Sequence, residues 1–187
     1  MTMYNRVAAW NAARYPQEHN DALSLSLLNE EFTEYTEAKL AVDKLDALCD
    51  MTFVALGMLW KLDPQDREQA DVIEEAIKNV EPIANNEFFE PAYFIPSVLA
   101  KYAASTLSGV AVVTYVSQLC YLQMTRMGLT GAEVEEAILI VCDSNDSKVI
   151  KETAPDVKAN IDKGADFTPP EPRLQILLDK VEARHGR

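Results

Sequence analysis

Glu30, Glu31 and Glu34 fall on one amphipathic stretch of this chain, and Asp46 and Asp50 on the next. As helices, these stretches stand Glu31 and Glu34 one turn apart in line with Leu27 and Ala38, and put Asp46 and Asp50 in a row with Phe53 and Gly57. Acids thereby interrupt two stripes expected to face a core. Burying unpaired carboxylates costs on the order of several kcal/mol each, so four of them facing one another across a helical hairpin need a compensating cation. Oxygen ligands with no His or Cys nearby select Mg²⁺, with Mn²⁺ as an alternative, over Zn²⁺. Substrate phosphates dock at such centres through the metal. Spacing alone leaves a second reading open, in which Glu30, Glu34 and Glu37 are a solvated face and Asp43 and Asp46 are first-turn acids that favour the helix dipole.

The elements that must position these residues read as helices. Glycine is scarce, and long segments lack the turn punctuation a strand-rich fold needs, so the expected class is all-α. Asn20 or Asp21 caps a helix running to about Val42, with Leu23, Leu27, Leu28, Tyr35 and Ala38 recurring at three and four. A second helix from about Asp43 to Lys61 carries Leu45, Leu48, Cys49, Thr52, Phe53, Leu56 and Trp60 inward, and Asp63-Pro64 stops it. The two make an αα-hairpin. Residues 65–80 read as a more acidic helix and 81–96 as an ordered, proline- and aromatic-rich connector. An apolar helix starting near Ser97 or Ser105 runs to Met127, and Thr130 with Glu133 has capping-box spacing for a last bundle helix to about Cys142. Beyond Asp143 prolines break the pattern until 173–184, so 143–187 is an irregular tail, and the chain is a single domain over 1–187.

Charge and composition exclude several classes. With 17 Lys and Arg against 30 Asp and Glu, the net charge of −13 repels nucleic-acid phosphates and anionic membrane. The uncharged stretch from Tyr102 to Thr125 is long enough to span a bilayer, but its Ser, Thr and Gln content and the lack of flanking basic clusters fit an enclosed bundle helix. Cys49, Cys120 and Cys142 sit singly in apolar runs, as buried hydrophobes do in a reducing compartment, and no secretory leader is visible, so a cytoplasmic location is expected. His19 and His185 give little support for histidine-based catalysis, and no glycine-rich phosphate loop of the P-loop or Rossmann type is present.

The run LLNEEFTEYTEAKLAVDKLDALCDMTFVALGMLW, residues 27–60, resembles the all-α nucleoside triphosphate pyrophosphohydrolases of the MazG-like and phosphoribosyl-ATP pyrophosphohydrolase-like superfamily. Those enzymes carry Glu-Glu-x-x-Glu on one helix and an acidic pair on the next. SNDSK at 144–148, KGADFTPP at 163–170 and the opening Val7, Trp10 and Asn11 are similar to a phage and bacterial subgroup, and residues 64–103 look like an insertion relative to compact members.

The resemblance implies a MazG-like helical bundle in which Glu31, Glu34, Asp46 and Asp50 are metal ligands and Glu30 is the neighbouring acid that holds or activates water. Asp46 departs from the commoner pattern, which has Glu where this chain has Ala47. Asn145 and Lys148 match substrate-contacting positions, with Asn145 for base or sugar and Lys148 for phosphate; Lys163 joins them if the KGADF loop folds over the cleft, and Trp10 with Asn11 is a candidate for nucleobase contact. The tail is then expected to close over the site. The implied reaction is attack of metal-activated water on the α-phosphate of an NTP or dNTP, giving monophosphate and pyrophosphate. Asn145 and Lys148 also suit a plain helix C-terminus. A homodimer is expected from the amount of apolar helix surface. The alternatives are a non-catalytic helical interaction protein, and phosphoribosyl-ATP as the substrate on the same fold.

Overall fold

The computed structural model describes residues 2–14, 18–62, 75–79, 93–150 and 161–186. It is mostly helical: α1 (Met3–Arg14), α2 (Asp21–Glu37), α3 (Ala41–Leu62), α4 (Ile95–Ala103), α5 (Gly109–Arg126), α6 (Gly131–Asp146) and α7 (Glu171–His185). A two-residue antiparallel pair, β1 (Val149–Ile150) and β2 (Ile161–Asp162), joins Val149 to Asp162 and Ile150 to Ile161. Among the described residues no helix is long and apolar enough to cross a membrane.

The central element is α3, which packs against α1, α2, α5, α6 and α7. Its sequence explains this, because apolar side chains from Val42 to Leu59 occupy every face and thirteen of its residues are buried. The inward set expected from sequence is buried from Leu45 through Leu56, whereas Trp60 is only half-buried. The hairpin forms, but its turn lies earlier than the periodicity predicts: α2 stops at Glu37, residues 38–40 link the helices, and Val42 already belongs to α3. On α2 the buried face is Ser24, Leu28 and Tyr35, and Leu23 and Leu27 are only half-buried. Asn20 is the cap, its Oδ1 accepting from the Leu23 amide at 3.0 Å.

The long apolar helix divides in two. Ser105 takes a left-handed backbone, φ 55°, and Ser108 caps α5 by accepting from the Ala111 amide. Ile95, Leu99 and Tyr102 of α4 and Ile77 of a short helical segment at 75–78 enter the core, so the described parts of the 64–103 stretch belong to the bundle. The rest of that stretch, including most of the expected acidic helix and connector, lies outside the described residues. Gly128, φ 97°, ends the turn after α5, and the Thr130–Glu133 capping box forms in full. The last bundle helix, α6, continues past Cys142 to Asp146, and α7 begins at Glu171 rather than Arg173.

Candidate active site

The C-terminal end of α6 is fixed by charge from two sides. Arg6 of α1 donates to Asp143 at 2.8 Å and to Asp146 at 2.7 Å, and Arg173 of α7 reaches the other oxygen of Asp143 at 2.8 Å. Burial works against an ionised Asp143, but Arg173 and Arg6 outweigh it and hold its pKa below the usual carboxylate value. Trp10, seated edge-on to Phe53 with ring centroids 5.2 Å apart, donates its indole N–H to the Asn145 carbonyl at 2.9 Å. These contacts set the backbone of Asn145 and Lys148 against α3.

Asn145, 5% exposed, commits its side chain within the protein. Its Oδ1 accepts from Lys148 Nζ at 2.7 Å and its amide group hydrogen-bonds the Asp50 carboxylate. Asn145 thus links Lys148 to Asp50 while also standing on the wall of the cleft described below. Trp10 is likewise a brace as well as a wall, since its N–H is engaged and the Arg14 guanidinium lies 5.4 Å from its ring centroid.

Glu31, Glu34, Asp46 and Asp50 interact electrostatically across the α2–α3 hairpin. Burial, followed by the charges of Asp50 and Glu34, pushes Glu31 up to about 8. Burial, followed by Asp50 and Glu171, does the same to Asp46. Asp50 is also raised by burial, with Lys148 and the Asn145 hydrogen bond opposing. Glu34 is exposed at the rim yet acts on the other three acids. Glu30, about 100° further round the helix, is half-buried and does not line the cleft.

Glu171, the first residue of α7, is a fifth acid that sequence reasoning missed. Its Oε2 and Asp46 Oδ1 are both buried and have no hydrogen-bond partner among the described residues. A first-turn acid after Pro169-Pro170 was visible in the sequence, but nothing there places it against the hairpin. Unpaired buried carboxylate oxygens in an oxygen-only donor set fit a hard divalent cation and not zinc. Among the described residues, no group of three or more Asp, Glu, His or Cys side chains stands close enough to hold a metal ion.

A cleft of about 440 Å³ opens beside these acids, with Glu31, Asp50, Asn145, Lys148 and Lys163 on its wall. Lys163, which follows β2, is exposed and lies over the Phe167 ring at 4.9 Å. The β-pair sets it there, while the Ser147 hydroxyl accepts from the Thr168 amide at 2.9 Å and holds the segment leading to α7. Further along α3 the wall is Phe53, Val54, Gly57, Met58 and Lys61. Cys49, Cys120 and Cys142 are buried and free, as the sequence predicts for small hydrophobes. No family model, curated protein or solved structure matches the chain.

Proposed function

We propose that this protein is a Mg²⁺-dependent nucleoside triphosphate pyrophosphohydrolase, which cleaves an NTP or dNTP to the monophosphate and pyrophosphate. The observation that carries this reading is a set of interacting carboxylates of which Glu31 and Asp50 share a cleft wall with Lys148 and Lys163, while buried oxygens of Asp46 and Glu171 lack a hydrogen-bond partner among the described residues. Glu31, Glu34, Asp46 and Asp50 would hold the cation, with Mn²⁺ as a substitute. The metal would lower the pKa of water and offset phosphate charge.

Within the chain, Lys148 faces the acids through the Asn145 bridge and supplies positive charge where the triphosphate enters. Lys163, just after β2, adds a second cation at the cleft wall. In the reaction a water oxygen bonds to the α-phosphorus, the bridging α–β oxygen bond breaks, and pyrophosphate leaves with the electron pair. Glu31 and Asp50, which line the cleft, would orient that water and take up its proton. A homodimer and a cytoplasmic location belong to the same proposal.

The test is pyrophosphate release with Mg²⁺ across the NTP and dNTP panel, with phosphoribosyl-ATP included and Glu34→Ala run alongside. Release that disappears in the variant supports the reading. A folded protein that cleaves nothing on the panel refutes it and favours an interaction protein. Gel filtration at only the 20.9 kDa monomer mass would refute the dimer.

A further inference from the structure

The cleft changes character along α3. Asp50 lies at its acidic end, and Phe53, Val54, Gly57 and Met58 follow in steps of three and four on the same face. Seven residues separate Asp50 from Gly57, about 10 Å along the helix axis at 1.5 Å per residue. That is the scale on which a nucleotide extends from its phosphate to its base. Around Gly57 the wall is largely apolar, contributed by Leu23, Leu27, Phe53 and Met58, and Asn11 of α1 brings an amide into it.

Asn11 is only 6% exposed. One amide hydrogen goes to the Val7 carbonyl at 2.9 Å. Its Oδ1 accepts nothing from the described residues and, unlike Asp46 Oδ1, is not sealed off from the cleft. One N–H and one carbonyl oxygen therefore remain for a ligand. A buried side chain with polar capacity left over in an apolar recess is expensive unless something fills that capacity.

Gly57 explains how the amide is seated. A Cβ at this position would stand 2.8 Å from Asn11 Nδ2 and 3.3 Å from Oδ1, too close for the amide to stay where it is. Glycine in a helix interior is otherwise unfavourable relative to alanine, and Gly57 has an ordinary helical backbone, so close approach is what requires it here.

We propose that Asn11 is a specificity-determining residue that reads the nucleobase, and that Gly57 holds the reading amide in register. The inference rests on the hydrolase reading above and names the base end of the same site. An amide offering one donor and one acceptor selects a planar ring with an adjacent acceptor and donor on one edge, seated between apolar side chains. Simple phosphates and pyrophosphate have no such edge.

The experiment uses the full chain and the four dNTPs, with kcat and KM measured separately, together with calorimetric binding of the four nucleoside monophosphates and of Mn²⁺. For Asn11→Ala and Gly57→Ala the Mn²⁺ isotherm is retained, KM for the preferred base rises about tenfold, and the spread between best and worst base contracts. Asn11→Asp, with an acceptor-only edge, moves the preference toward guanine, whose N1–H and N2–H are adjacent donors. Folded variants, checked by circular dichroism, that keep the wild-type base ranking in turnover and monophosphate binding would overturn the assignment of Asn11 alone. A wild-type protein that binds Mn²⁺ but neither binds nor cleaves any nucleotide would overturn the hydrolase reading, and this inference with it.

Discussion

Replacing Asp46 by Asn should stabilise the metal-free protein. The isosteric amide removes one negative charge from a group in which burial, Asp50 and Glu171 push the Asp46 carboxyl up to about 8, against an ordinary value of 3.8. The folded protein therefore retains a proton between about pH 4 and 8 that the unfolded chain has lost. Asp46's contribution to stability accordingly falls as pH rises through that window. Four pKa units correspond to a ceiling of ~5 kcal/mol above pH 8. Relaxation and the sharing of repulsion with Glu31 and Asp50 lower this, and we expect about 2 kcal/mol at pH 8, or about 4–8 °C in Tm for a chain of this size. At pH 5 the gain should be small. The assay is thermal and urea unfolding after chelation, at pH 5 and 8, with and without Mg²⁺. Wild type should gain stability from Mg²⁺ most at pH 8, and the variant should gain little at either pH. An Asp46→Asn protein no more stable than wild type at pH 8 without metal would refute the account of repelling acids.

Other substitutions separate the parts of the site. Asn145→Leu leaves Lys148 and Asp50 without their bridge, and should lower metal affinity or activity about 10–100-fold and destabilise the fold by about 1–3 kcal/mol, read by calorimetry and urea unfolding. Glu171→Gln should weaken Mn²⁺ binding about tenfold while raising the Tm of the chelated protein; an unchanged isotherm would place Glu171 outside the site. Arg6→Ala removes a partly exposed clamp on Asp143 and Asp146 and should cost only about 1 kcal/mol in urea unfolding.

The hairpin, and which acids share a helix face along it, were legible because 3.6-residue periodicity fixes which side chains lie together. The same rule misplaced the turn, since Ala38 and Val42 extend the apolar patterns past the 38–40 linker and no glycine or proline marks it. The break between α4 and α5 was legible only as one of two possible starts, Ser97 or Ser105, because a serine, Ser105, takes the left-handed backbone that glycine usually signals. Long-range partners could not be read from sequence at all. Arg6 meets Asp143 across 137 residues, and Glu171 meets Asp46 from the far end of the chain. Asn145 carried the right residue type for substrate contact, yet only the packing of α6 against α3 reveals that its amide is already engaged.

Hydrolysis of the preferred triphosphate in ¹⁸O-labelled water, with products resolved by ³¹P NMR and mass spectrometry, tests the central claim most directly. The acid group and its lysines predict the label in the nucleoside monophosphate, unlabelled pyrophosphate, and loss of both products in Glu34→Ala. Label in pyrophosphate, or release of diphosphate and inorganic phosphate, would contradict attack at the α-phosphorus.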